Sequence, residues 1–201
     1  MVGKLIYLSH TRPDIAYAVS IISQYMHQPS KRHLEAAYHI LRYLKRAPRI
    51  GLLFKKNQDR RIVGFAILDW VGSIEDSRSV SGYCTKVWGN LVTWRSKKQP
   101  IVAQSSAEVE YQAISQGICE VIWLENLMSD LSMPMSSSKV FYSDSQSAIN
   151  IMNNPIQHDR MKHVRIDRNF VKQEIEEGGI KLMYIPTASQ EADILTKAMQ
   201  K

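Results

Sequence analysis

Ile62-Val63-Gly64-Phe65-Ala66-Ile67-Leu68 is a short, nearly continuous apolar run, and its reading decides the fold class. A run of that length and composition marks a strand buried on both faces. Toward the C-terminus, Ser81 to Trp88 reads as a second strand, and Gly89-Asn90 as a two-residue turn into Leu91-Val92-Thr93-Trp94, which makes a β-hairpin. A long helix is predicted over 106–131, a strand over 139–143 and a short helix over 145–152. A polar helix over roughly 163–177, a strand over 181–185 and a final helix capped by Ser189 complete the series. Three antiparallel strands followed by alternating helices and strands imply an α/β fold, a five-stranded mixed sheet flanked by helices.

Toward the N-terminus the period changes to that of helices. Ala16, Val19, Ile22 and Tyr25 recur at helical spacing, and Pro13 marks a helix start. Ser30 caps a second helix, in which Leu34, Ala37, Tyr38, Leu41 and Leu44 form an apolar stripe that needs a partner surface. The division expected is a helical segment over 1–58 and an α/β domain over 59–201.

The 201 residues are 44% hydrophobic and 22% charged, the balance of a globular chain rather than a disordered tail. No apolar run approaches the roughly 20 residues of a membrane helix, and the first residues lack a cleavable leader pattern. The expected setting is intracellular, cytoplasmic or nuclear, without membrane and without secretion. Cys84 and Cys119 stand singly, as buried reduced thiols of such a protein. The net charge is +7, and the stretch from Lys31 to Arg61 alone carries +8, opposed only by Glu35 and Asp59. That excess, with Arg42, Lys45 and Arg46 at its centre, suits a polyanion whose condensed counterions are released on contact. It also suits a solvated helix face. Trp94, Arg95, Lys97 and Lys98 place an aromatic among cations at a hairpin end, either to meet a duplex backbone or as a solvated tip.

Three carboxylates stand where chemistry could gather. Asp144 follows the 139–143 strand, the position at which open α/β sheets place ligands, although an aspartate there also serves as a helix cap. On the long helix, Glu110 shares its face with Ala113, Ile114, Gly117 and Val121, whereas Glu108 looks along the polar stripe of Gln112 and Ser115. A carboxylate on the packed face is costly unless paired or metal-bound, which singles out Glu110. Asp193 begins the last helix, with a favourable dipole interaction as its alternative role. His158 and His163 flank four residues without cysteines, a poor zinc pattern.

Several strings carry a resemblance at once: Leu5-Ile6-Tyr7-Leu8-Ser9-His10-Thr11-Arg12-Pro13-Asp14-Ile15, Thr93-Trp94-Arg95-Ser96-Lys97-Lys98-Gln99, Ser105-Ser106-Ala107-Glu108-Val109-Glu110-Tyr111 and Ala192-Asp193-Ile194-Leu195-Thr196-Lys197. Together they resemble the C-terminal part of copia-type retrotransposon Pol polyproteins. The resemblance implies a ribonuclease H fold at 59–201, preceded by the stretch that joins it to the polymerase. It also implies four carboxylates holding two Mg²⁺ ions that cleave RNA in RNA/DNA hybrids, and it makes Glu110, Asp144 and Asp193 three of the four. The partners implied are RNA/DNA hybrid or another nucleic acid, and other parts of the polyprotein. Tyr142-Ser143-Asp144-Ser145-Gln146 is similar to the matching segment of cellular ribonucleases H.

The fourth carboxylate is absent. Where the family reads Gly-Tyr-Thr-Asp-Ala-Asp-Trp-Ala-Gly, this chain reads Gly64-Phe65-Ala66-Ile67-Leu68-Asp69-Trp70-Val71-Gly72, so Ile67 takes the place of the first catalytic aspartate. Asp69 is the candidate substitute, on the same side of the strand but about 6.6 Å further along it. Mg²⁺ requires oxygens at about 2.0–2.1 Å, so that displacement is too large without bending the strand. Little or no cleavage is expected, and a non-catalytic or nucleic-acid-binding remnant is the alternative function.

Overall fold

A computed structural model describes residues 1–69, 79–98, 106–133, 135, 139–153 and 165–197. The expected strand forms as β1 (Ile62–Asp69), followed by the hairpin β2 (Val80–Val87) and β3 (Asn90–Lys98). Before them lie α1 (Val2–Ser9), α2 (Ala16–Ser23) and α3 (Lys31–Arg46); after them come α4 (Ser106–Asp130), β4 (Lys139–Ser143), α5 (Gln146–Asn153), α6 (Arg165–Glu176) and β5 (Ile180–Tyr184). The sheet order is β3-β2-β1-β4-β5, with β1, β2 and β3 antiparallel to one another and β1, β4 and β5 parallel.

Alternation along β1 supplies both faces of the sheet. Ile62 and Ala66 join Tyr83, Phe141 and the α4 residues Ile114, Ile118 and Val121 in one core. Gly64 on β1 and Gly117 on α4 leave the room that the fully buried Phe141 ring occupies, since a Cβ at either would fall inside it. That close approach seats α4 on the sheet and fixes the height of Glu110. The opposite face carries Phe65, Ile67 and Cys84, covered by Ala16 of α2 and by Ala192 and Leu195. The N-terminal helices therefore complete a layer of the sheet: the Trp94 indole donates to the Ser9 carbonyl at 2.9 Å, and the Ser20 and Ser96 hydroxyls meet at 3.3 Å.

Several expectations are corrected. The hairpin turn is Trp88-Gly89, both with positive φ (54° and 74°), and Asn90 already pairs with Val87. Asn90 is drawn into the strand because its side chain clamps the Lys55 backbone, accepting from the nitrogen at 2.7 Å and donating to the oxygen at 2.9 Å. On α3 the buried edge is Ala37 and Ile40, with Tyr43 and Leu44 partly covered, while Leu34, Tyr38 and Leu41 face outward. The cause is a buried contact at the helix end: Tyr43 donates to Asp14 at 2.9 Å, and Asp14 also holds Arg12. Helix α2 stops at Ser23, so Tyr25 lies beyond it, stacked on His33. Ser115 is buried and donates to the Tyr111 carbonyl rather than lining a polar stripe. Cys84 is buried as expected, but Cys119 is exposed, and both are free of disulfide. The final helix is replaced by two 3₁₀ turns, Thr187–Ser189 and Glu191–Leu195, the second capped by Gln190 instead of Ser189.

Candidate functional site

Strands β1 and β4 run in parallel and end at the same edge of the sheet, with Ala66 opposite Ser143. Asp144 follows β4, half-buried, and accepts a hydrogen bond from the Thr187 hydroxyl at 3.0 Å. It is not the cap of α5. Ser145 takes that role, accepting from the Ala148 amide at 3.1 Å, and its hydroxyl also donates to the Glu110 carboxylate. Ser145 thereby ties the acid of α4 to the end of β4.

Asp193 is brought in by a separate device. The Gln190 side chain is buried and donates to the Ala66 carbonyl at 2.9 Å, while its oxygen accepts from the Ala192 amide at 3.3 Å. The 3₁₀ turn is thus pinned against the middle of the sheet, and the Ile185 amide, bonded to the Ser143 carbonyl at 3.0 Å, steadies its approach. Asp193 receives the Lys197 ammonium at 2.6 Å. That ion pair raises the Lys197 pKa, and the charges of Asp69 and Asp144 act in the same direction. Asp69, at the end of β1, is shifted up by burial and by the charge of Asp193, against the pull of Lys197. Burial and the Asp69 charge also push up the Tyr17 phenol, so α2 reaches the rim of the site.

Ser145 thus joins Glu110 to the end of β4 that Asp144 follows, Asp193 lies on the turn fastened to β1, and each acid is engaged with its own partner: Ser145, Thr187 and Lys197 respectively. Ile67 does not look out among them. It is 4% exposed, sealed in the apolar cluster of Phe65, Cys84, Ala192 and Leu195. Among the described residues no three Asp, Glu, His or Cys side chains come together to cage a metal ion. These residues do not fit the two-Mg²⁺ arrangement that the sequence resemblance implies: the first ligand position is apolar and covered, and the remaining carboxylates point to protein donors.

Ser145, Gln190 and Lys197 were not singled out by sequence reasoning. Only Lys197 had a signal, its place four residues after Asp193. The basic residues separate into two groups. Arg42, Lys45 and Arg46 are exposed on α3, where Tyr38 and Leu41 join Arg42 and Lys45 along an open groove. Lys45 and Arg46 also lie in the last turn of the helix, where cations suit its dipole. On β3, alternation sends Arg95 and Lys97 to one face and Trp94, Ser96 and Lys98 to the other. The Trp94 indole is committed to Ser9, so it is not an aromatic tip among cations. His158, Lys162 and His163 lie outside the described residues, as does the side chain of Glu108.

The strand order, the parallel β1-β4-β5 half and the helix α4 crossing the first face are those of a ribonuclease H-like domain. The chain belongs to the Pol polyproteins of copia-type retrotransposons. It is 37% identical over 201 residues, all of this chain, to the retrovirus-related Pol polyprotein from transposon RE1 of Arabidopsis thaliana, of which it covers 14%. It is 35% identical over 201 residues to the Pol polyprotein from transposon TNT 1-94 of Nicotiana tabacum, again all of this chain and 15% of that protein. The chain thus spans about one seventh of the length of these relatives. Among solved structures, the N-terminal ribonuclease H domain of Rv2228c from Mycobacterium tuberculosis aligns with a TM-score of 0.48 at 12% identity, over 69% of this chain and 91% of that one. No protein-family model matches the chain. Among the described residues no helix is long and apolar enough to cross a membrane.

Proposed function

We propose that this segment of a Pol polyprotein engages nucleic-acid duplex, RNA/DNA hybrid foremost, and that its hydrolysis of the RNA strand is absent or orders of magnitude below that of a domain with four acidic ligands. The burial of Ile67 at the first ligand position carries this reading. An apolar side chain there supplies no oxygen to a cation, and Ala192 and Leu195 pack over it. Changes in groups merely supporting a metal's ligands already cost about 10–100-fold, so the loss of a ligand itself should cost more. The basic face of α3 supports the binding half of the proposal, since exposed Arg42, Lys45 and Arg46 present a cluster of cations that a phosphate backbone can neutralise. Other parts of the polyprotein are proposed as further partners.

The test is hybrid binding measured by fluorescence anisotropy across a salt series. Affinity should fall steeply with salt, and neutralising Arg42, Lys45 and Arg46 together should flatten the slope of log K against log salt by up to about 0.9 for each phosphate no longer neutralised. An unchanged slope would make the basic face a solvated surface. Cleavage of labelled hybrid in Mg²⁺ tests the catalytic half. Robust cleavage by the unmodified chain that vanishes on Asp69→Asn would replace this reading with one in which Asp69 acts as a ligand.

A further inference from the structure

We infer that copies of this chain associate head to tail, with Trp123 on α4 of one copy seated in the α3 groove of the next. Two helices keep an apolar stripe turned to solvent while their other sides are packed. On α3, Tyr38 is 46% exposed and shares its side with Leu34 and Leu41, away from the buried Ala37 and Ile40. On α4, Trp123 is 53% exposed and Leu127 continues its side one turn on, while Ile118, Val121 and Leu124 lie in the core. Large aromatic side chains left in water in this way are those that most often anchor an interface.

The two helices carry opposite charge. Helix α3 has Lys31, Arg32, Arg42, Lys45 and Arg46 against Glu35 alone, whereas α4 contains acids and no lysine or arginine. The charges reach the stripes themselves: Arg42 and Lys45 line the groove with Tyr38 and Leu41, and Asp130 stands two turns beyond Trp123 on its side of α4. Among the described residues none of Arg42, Lys45 and Asp130 is held in an ion pair. Such a groove suits an indole, since Tyr38 and Leu41 supply apolar walls and the cations can lie against the ring face. Helix α3 packs on α1 and α2, in the layer over the second face of the sheet, and α4 covers the first, so the sheet keeps the two stripes of one chain apart. They can meet only between copies. Because the two surfaces differ, a pair leaves one of each kind free, and association continues past the dimer into a chain or a closed ring.

Sedimentation velocity of the 201-residue chain over a wide concentration series, without nucleic acid, tests this. The readout is mass, so the inference stands or falls apart from hybrid binding, although both draw on Arg42 and Lys45. The average mass of the unmodified chain should rise with concentration beyond that of a dimer, and the rise should shrink as salt screens the charges. Trp123→Ser removes the knob and Tyr38→Ser with Leu41→Ser removes the groove. All three positions are exposed, so the fold should persist, and each variant alone should stay monomeric at every concentration. Mixed, the two variants retain one intact surface each and should form a one-to-one dimer that grows no further. Asp130→Lys should weaken association of the otherwise unmodified chain, and adding Lys45→Glu should restore it. A chain that remains monomeric throughout would overturn the inference. So would a dimer that never grows, which marks a symmetric contact, or a mixture of the two variants that stays monomeric.

Discussion

Replacing Ile67 by aspartate restores the residue type expected at the first ligand position, and the structure sets what that restoration costs. Ile67 is 4% exposed and packed on Phe65, Cys84, Ala192 and Leu195. Giving up its burial forfeits roughly 1.5–3 kcal/mol. A polar group left in the same apolar cover without a partner adds about 1–3 kcal/mol. The sum is a substantial part of the roughly 5–15 kcal/mol by which a domain is stable, and a melting point lower by about 10 °C or more is expected. Burial disfavours the charged form, so the introduced carboxyl should titrate above its unfolded value of about 3.9 in the folded chain. The sign follows: the variant is least handicapped below about pH 4, and it loses ground as pH rises toward the raised folded value, because the unfolded state releases its proton first. Thermal denaturation from pH 3.5 to 7.5, with and without Mg²⁺, reads this directly. If the carboxylate reaches a cation shared with Asp144, Mg²⁺ should recover part of the lost stability, hybrid cleavage should appear, and Asp144→Asn should remove it. A melting point at pH 7 within about 2 °C of the unmodified chain would refute the reasoning, since it would mean that Ile67 is not sealed.

Three further outcomes follow from the packing. Asp14→Asn removes the charge from the Arg12–Asp14 pair, whose side chains are 7% and 12% exposed, and should cost about 3–5 kcal/mol in urea denaturation by leaving a buried guanidinium without its counter-charge, held by the Ala47 carbonyl. Burial alone would raise the Asp14 pKa, but the hydrogen bonds from Arg12 and Tyr43 outweigh it and lower it. That stabilisation is present above about pH 4 and lost as pH falls through the depressed value, so the two proteins' melting points should converge in acid. Gly117→Ala drives a Cβ into the Phe141 ring that Gly64 backs from the other side, and should lower stability by about 1–3 kcal/mol despite the gain in helix propensity. A chain beginning at residue 59 uncovers Phe65, Ile67 and Cys84 where Ala16 had packed and leaves the Trp94 indole without Ser9; it should bind a hydrophobic dye and melt broadly. A sharply melting monomer would show instead that the helices merely ride on the sheet.

What the sequence revealed was what depends on local pattern. The apolar runs at 62–68 and 139–143 are strands because both are covered on two faces, and the small residues beside Glu110 on α4 betray the side that packs. Periodicity failed where a distant group chooses among neighbours. The α3 wheel admits two adjacent edges, and the Asp14 carboxylate, 29 residues from Tyr43, selects the one containing Ile40. Asn90 belongs to a strand and not a turn because of Lys55, 35 residues away. At the site, the resemblance supplied the acids, but their partners are side chains meeting across the fold. No spacing rule could show that Gln190 would reach the Ala66 carbonyl 124 residues earlier, or that Ser145 would supply the cap that was one of two roles open to Asp144.

The Gln190 contact has a consequence for how the molecule is made on the ribosome. Residues 190–195 emerge after all five strands, yet Ala192 and Leu195 are the lid over Phe65, Ile67 and Cys84. During synthesis the sheet can pair, α4 can dock and α2 can cover its share of the second face while the part beneath Ala192 and Leu195 still lies open to water, a greasy window kept ajar by chain order alone. Nascent chains caught at that stage present an apolar strand surface to one another, and the closing turn arrives last, with one glutamine as its latch.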